Sequence, residues 1–377
     1  MHNDPEELAR SVRALRDGSA WEGFLDQLRQ AGDVVTRAAP ARDDLDVAEG
    51  VRYLTRLTRS ALEQHLEYKD PAAPQFLRGN HETIKGPGFD NPDQVPLVAA
   101  ISGAYEYRIR GTRGSVVFLS FSTYYGGDWG RSGRSGRGGS LDASQLQIAA
   151  DGSFEITISC EPREGNWLPM DPESHLLVVR QLCLDRRHEQ LATLSIERID
   201  GGAPPPPLDP HGLARGLAAA GRYVLGSAEV FAEWSREFAA RPNALALMDR
   251  ARMAAVHADP AYAYVTGGFN LGDDEALLVE LRPPPCDYWS LTLYNYWLET
   301  PDYRYHTVAL NAATANVRAD GSILAVVAHH DPGTPNWIET AGHRRGVLLL
   351  RWVRAEEHPV PTCEVIPLAE AAGRAAR

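Results

Sequence analysis

Lysine is nearly missing from this chain. Of 377 residues only Lys69 and Lys85 are lysines, so the 38 basic side chains are almost all arginine, set against 50 carboxylates for a net charge of -12. An acidic chain of this kind is excluded as a general binder of nucleic acid or of anionic membranes. Cysteine is scarce too. Cys160, Cys183, Cys286 and Cys363 are scattered, and none forms a C-x-x-C pair, which argues against a zinc knuckle. Cys160 sits in an apolar alternation and reads as a small buried hydrophobe, not a nucleophile. No apolar run approaches the roughly eighteen residues of a membrane span, and no charged-then-apolar leader opens the chain. The expectation is a soluble, cytoplasmic protein. G-x-S-x-G, P-loop and dinucleotide fingerprints are also lacking, so no organic cofactor is expected.

What is present is ordinary globular material: 44% apolar and 23% charged residues rule out disorder and collagen. At about 150 residues per domain the length suggests two domains. Residues 1–85 read as a helical segment, with Leu54, Leu57, Ala61, Leu62 and Leu66 on one face. A first β-rich half follows over 86–203, with short β-branched and aromatic runs between turn residues. The proline run 204–207 acts as a stiff spacer and opens a linker and helical segment over 204–258. A second β-rich half occupies 259–377, with strand patterns that include Tyr288 to Trp297, Tyr303 to Leu310 and Ile323 to His329.

The two halves share a pattern. DGSFEITISCEPREGNWLP from Asp151 parallels DGSILAVVAHHDPGTPNWIE from Asp320, and both lead to an apolar run closed by arginine, at Arg180 and Arg351. Further upstream, YRIRG at Tyr107 lines up roughly with YVTGG at Tyr264. The strands Phe154 to Cys160 and Ile323 to His329 should therefore occupy equivalent places. In the first, apolar and polar residues alternate; in the second, both faces are apolar, which predicts cover on both sides. Trp167 and Trp337 are expected to be largely buried scaffold residues. The fold class that follows is α+β, mainly β: two related antiparallel β-sandwich halves, each preceded by helices, in extensive contact.

Several stretches carry a family resemblance: GNWLPMDPESHLLVVRQ, YVTGGFNLGDDEALLVELRPPPCDYWSLTLYNYW, DYRYHTVALN and HHDPGTPNWIETAGH. Together they resemble the bacterial family of domain of unknown function 1214, from about Ala48 to Pro367. The resemblance implies jelly-roll-like sandwiches with helical additions. It implies no reaction and no catalytic residues.

Four clusters can carry chemistry. The first is His329, His330, Asp331, Asn336, Trp337, Glu339 and His343. Histidine and carboxylate at short spacing suit a metal, but His329 and His330 are adjacent on a strand and point to opposite faces, so no metal is expected. The alternative is a sharp turn capped by Asp331. The second is DYRYH, in which Arg304 and His306 share a strand face: Arg304 as an anion anchor, His306 as an acid or base. The alternative is a structural pair tied to Asp302. The third is the aromatic run with Tyr294 and Trp297, core residues or a ligand wall. The fourth is the glycine-rich stretch from Gly126 to Ser140, with Arg131, Arg134 and Arg137, a basic lid or a plain hairpin loop.

The functional expectation is an enzyme doing acid–base chemistry on a small, partly apolar molecule in an aromatic-walled pocket of the second half. His306, His329 and Asp331 are the candidate catalytic residues. Arg304, Tyr294, Trp297, Glu339 and His343 are the candidate substrate contacts. The alternative is a non-catalytic sandwich protein that binds a ligand or glycan. The oligomeric state stays open.

Overall fold

A computed structural model describes residues 5–39, 43–127, 132–202, 207–256 and 258–375. The N-terminal helices are α1 (Pro5–Arg16), α2 (Ser19–Ala38) and α3 (Asp44–Leu62), and α3 runs on into a π-helical turn at Glu63–Glu67. Asp43 caps α3 by accepting from the amides of Leu45 and Asp46. The first half then contains β1 (Leu77–Arg78), β2 (Leu97–Ala100), β3 (Tyr107–Thr112), β4 (Phe118–Gly127), β5 (Ser132–Asp142), β6 (Ser153–Ser159), β7 (Trp167–Pro169), β8 (Ser174–Leu182) and β9 (Thr193–Arg198). Helix α4 (Pro210–Ala239) follows, capped by Asp209 with Pro210 in its first turn. After it come β10 (Ala246–Leu247), α5 (Arg250–Ala255), β11 (Tyr262–Asn270), β12 (Glu275–Leu281), β13 (Tyr288–Tyr294), β14 (Ala309–Asn311), β15 (Ile323–Ala328), β16 (Trp337–Glu339), β17 (Arg345–Val353), β18 (Thr362–Pro367) and α6 (Ala371–Ala375).

The halves repeat strand for strand. The first packs a sheet β1-β2-β8-β4-β5 on a sheet β7-β6-β3-β9; adding nine to each number gives the two sheets of the second. The parallel pairs correspond as well: Thr157 lies opposite Trp167, and Val326 opposite Trp337. Both Asp-Gly-Ser turns fold alike, with a positive-φ glycine at Gly152 and Gly321 and the Asp151 or Asp320 carboxylate accepting from the amide and hydroxyl of the following serine. The strands containing Phe154 and Ile323 are equivalent, as the repeat predicts. The upstream alignment is one strand out. Tyr107 opens β3, whose counterpart is β12, whereas Tyr264 lies on β11, the counterpart of β2.

Each half has its own core between its sheets. Leu119, Phe121, Ile156, Ile158, Leu177 and Val179 fill the first, and Leu277, Leu291, Ala325, Val327, Leu348 and Leu350 the second. All six residues of β15 are buried. Its second face packs with Leu278, Ile366 and Ala371, so the C-terminal segment supplies the cover that its double-sided apolarity requires. Trp167 and Trp337 are half-buried, less enclosed than their scaffold role led us to expect. Their indole N–H groups donate to Ser159 Oγ and the Ala328 carbonyl.

Two segments differ from the sequence reading. The stretch taken as a glycine-rich loop is largely the strand β5, paired with β4. Its glycines serve close approach. A Cβ on Gly139 would lie 2.5 Å from the Pro169 carbonyl oxygen, and one on Gly138 2.6 Å from the Asp171 amide nitrogen. Arg131 and the side chain of Arg134 lie outside the described residues, as do residues 203–206 of the proline run. The other segment is DYRYH, which is a turn and not a strand. The Asp302 carbonyl accepts from the amides of Tyr305 and His306, and regular pairing begins only at Ala309.

The helices that precede the two halves pack together. Phe24, Ala31 and Val35 of α2 and Tyr53, Leu57 and Ala61 of α3 pack with Leu217, Ala220 and Val224 of α4, closed by Tyr296 and Trp297 from the second half. The Trp297 indole donates to the Asp46 carbonyl at 2.6 Å. Further along α4, Val230, Phe231 and Trp234 cover Val347 and Leu349 on the outer face of β17. Between the halves, Phe118 and Leu182 meet Tyr262, Tyr288 and Val353.

Candidate functional site

The covered face of β17 has a counterpart on β8. Alternation along β8 sends Leu177 and Val179 into the first core and Leu176, Val178 and Arg180 outward. A cleft of about 1010 Å³ opens between that outer face, the π-helical turn, helix α4 and the strand β11. Its apolar walls include Val98, Ile101, Leu176, Val178, Phe231 and Trp234.

Two arginines from equivalent positions of the repeat, Arg180 and Arg351, line its inter-half side. Arg180 donates to Tyr124 Oη at 3.2 Å and faces Asp259 Oδ2 at 3.6 Å. Arg351 donates to the Phe89 carbonyl at 2.7 Å and to Thr292 Oγ1 at 3.4 Å. Both guanidiniums are anchored by the protein, in keeping with the cost of burying a charge unpaired.

The opposite side carries His65, Lys69, His175, Arg215, Arg222 and Tyr223. His65 stands on the π-helical turn, a distortion that recurs at functional sites. Its ring centroid lies 5.5 Å from that of Tyr223, and its Nε2 is buried without a hydrogen-bond partner. Burial, then the charges of His175, Arg222 and Lys69, push its pKa down to about 4. The Lys69 ammonium is bonded to the Gly212 carbonyl, and burial, with Arg215 adding to it, lowers its pKa against the pull of Asp209.

A second cleft of about 850 Å³ lies beside the first and shares Met253, Ala258, Tyr262 and Tyr264 with it. Arg137 lines this second cleft.

None of the candidate catalytic or substrate-contact residues of the second half lines either cleft. Arg304 is exposed and held by Asp302 through bonds of 2.8 and 2.6 Å. His306 Nδ1 lies 3.0 Å from Glu339 Oε2 at a half-exposed site. His329, just past the end of β15, bonds Thr340 Oγ1 at 2.7 Å and the Leu271 carbonyl at 3.3 Å. Its counterpart Cys160 reaches the Gly103 carbonyl at 3.5 Å, in the equivalent connection of the first half. Both side chains thus brace the same loop. Asp331 is exposed and accepts from the Gly333 amide, as a turn cap does. Tyr294 is fully buried and donates to the Asp90 carbonyl. His343 is buried, 3.9 Å from Asp46 Oδ1 and 4.0 Å from Glu49 Oε1. The structure joins His306 with Glu339, places His343 and Trp297 both against Asp46, and does not gather the set into one cavity. Among the described residues no three His, Cys, Asp or Glu side chains form a metal-holding group.

His65, Lys69, Arg215 and Arg222 were missed in the sequence. A signal existed. His65 and Lys69 are four apart, and Arg215, Ala219, Arg222 and Gly226 make a stripe on a helix otherwise rich in alanine and glycine.

The architecture is that of a duplicated two-sheet protein. A crystal structure of an uncharacterized protein from Burkholderia cenocepacia shares it: 44% identity, 95% of this chain and 99% of that one covered, TM-score 0.91. The chain belongs to the family described as protein of unknown function DUF1214, whose model matches it twice, at residues 99–183 and 275–357. The VPA0106 protein from Vibrio parahaemolyticus is similar at 13% identity over 90% of this chain and 100% of that one, with a TM-score of 0.49. No curated protein matches the chain.

Proposed function

We propose that this protein binds a small, partly apolar molecule in the cleft between its halves. The observation that carries the reading is the cleft along the outer face of β8. The same face of the second half is sealed by Phe231 and Trp234, whereas Leu176 and Val178 border a cleft of about 1010 Å³. Enclosed, largely apolar space with a few convergent polar groups is the usual form of a ligand site. The test is Val178→Trp, which fills the wall. It should weaken binding of apolar probes measured by calorimetry while the melting temperature holds. Unchanged binding refutes the assignment.

A second reading is acid–base chemistry at this site, favoured by His65. Its depressed basicity leaves it neutral at pH 7, and its buried Nε2 has no hydrogen-bond partner in the protein, so a bound molecule can supply one. Loss of turnover in His65→Gln with binding retained supports it; full turnover ends it. The cysteines lend weight to a cytoplasmic setting, since all four are free. Among the described residues no helix is long and apolar enough to cross a membrane.

A further inference from the structure

We infer that the ligand of the cleft is an amphiphilic organic anion, its acidic head at Arg215 and Arg222 and its apolar body against Ile101, Leu176 and Val178. This rests on the cleft being the binding site and goes on to say what enters it.

The first argument is charge. The protein carries a net charge of -12. Yet five cationic side chains, Lys69, Arg180, Arg215, Arg222 and Arg351, line the cleft against two carboxylates, Glu173 and Glu229. Of the five, Arg180 and Arg351 are already held by Tyr124, Asp259 and the Phe89 carbonyl. Lys69 is held by the Gly212 carbonyl and faces Asp209, with Glu67 and Asp70 near it. Arg215 and Arg222 are exposed and make no ion pair among the described residues. Positive charge concentrated at the lip of a cleft, in a protein that is acidic overall, attracts and selects anions.

The second argument is crowding. Lys69, Arg215 and Arg222 come from two segments that converge, and the repulsion of Arg215 is felt by Lys69. A negative head placed among them relieves that repulsion, and guanidinium pairs give charge-assisted bonds to carboxylate or phosphate oxygens.

The third argument is the apolar wall. Arg215 and Arg222 share one face of α4, whereas Phe231 lies half a turn round from Arg222 and packs with Trp234 on β17. The apolar lining beside the arginines comes from Val98, Ile101, Leu176 and Val178. A cationic lip beside an apolar wall reads both parts of an amphiphile.

The experiment is calorimetric titration of the full chain, below micelle concentrations, with dodecanoate, dodecyl phosphate, dodecanol and acetate. The expected result is that an anionic amphiphile binds at least about tenfold more tightly than dodecanol, and that acetate fails to bind. In Arg215→Gln/Arg222→Gln the preference should fall to within about twofold, with dodecanol binding and the melting temperature unchanged; each tenfold step is about 1.4 kcal/mol. The carboxylate and phosphate arms identify the head group. Dodecanol binding as tightly as both anions overturns the anion inference and leaves the cleft reading intact. Anions binding the double variant undiminished also overturn it. If neither the anions nor dodecanol bind, the cleft reading itself fails. Should the double variant melt early, Arg222→Lys, which keeps the charge, must retain the preference, and its loss there counts against a charge-based head site.

Discussion

Asn336→Ala should destabilise the protein by about 3 kcal/mol, and the size follows from its two duties. The side chain makes three hydrogen bonds. Its amide donates to the Asn316 carbonyl at 2.8 Å and the Leu324 carbonyl at 3.2 Å, and its oxygen accepts from the Asn316 amide at 2.7 Å. Because the site is half open to water, those bonds together are worth about 2 kcal/mol net. The backbone adds to this. Asn336 has φ 61°, where alanine pays about 1 kcal/mol more than asparagine or glycine. Its counterpart Asn166 makes the same three bonds, to the Gln147 carbonyl and amide and the Glu155 carbonyl. There the positive φ falls on the preceding Gly165 instead. The prediction is therefore a pattern: Asn336→Ala costs about 1 kcal/mol more than both Asn336→Gly and Asn166→Ala, each of which loses about 2 kcal/mol. Urea unfolding of the three variants measures it. If Asn336→Ala is no worse than Asn166→Ala, or if either asparagine can be removed for under about 0.5 kcal/mol, the clamp argument is wrong.

Three further outcomes can be checked. The His65 pKa is lower in the fold than in the unfolded chain, so its contribution is complete above pH 6.5 and is lost as the pH falls toward 4; the gap corresponds to at most about 3 kcal/mol, and His65→Gln should flatten that acid limb in pH-dependent unfolding. Glu299 is fully buried beside Arg56, and burial pushes its carboxyl up to about 7. Its effect has the opposite sign, with stability falling as the pH rises from about 4.5 to 7, and melts of Glu299→Gln should show that slope reduced. Gly50→Ala would bring a Cβ to 2.7 Å from the Trp297 ring and 2.8 Å from Val35, so a loss of about 1–3 kcal/mol is expected in urea, with the Trp297 emission altered.

The fold was legible where period and punctuation agreed. Phe154, Ile156 and Ile158 alternate with polar residues and form a strand; the double apolarity of Ile323 to Ala328 announced a strand covered on both faces. It was illegible where residues serve a distant neighbour. The glycines of β5 look like loop until Pro169 and Asp171 are seen against them, and DYRYH alternates like a strand although Asp302 folds it into a turn. For the site, the repeat directed attention to residues gained by the second copy. His329 proves to brace the same loop as Cys160. The cleft arises from a difference that no motif records: α4 packs on the outer face of β17 but stands off that of β8. Arg180 and Arg351, which closed the repeated runs in the sequence, do line it.

Helix α4 also governs the order in which the chain can be completed. It packs on α2 and α3, seals β17 and walls the cleft, while residues 85–91 wait on partners synthesised much later. Asp90 takes the Thr300 amide and hydroxyl, the Phe89 carbonyl takes Arg351, and the Asp46 carbonyl takes Trp297. Contacts this distant in sequence close late and slowly. During synthesis the first sandwich can form its core while its outer sheet face and the preceding helices stand unfinished. A break between the halves would therefore not release two independent domains. Cut before α4, the early fragment keeps α2 and α3 without the helix they pack on, and the late one keeps a covered sheet but an α4 with one side exposed.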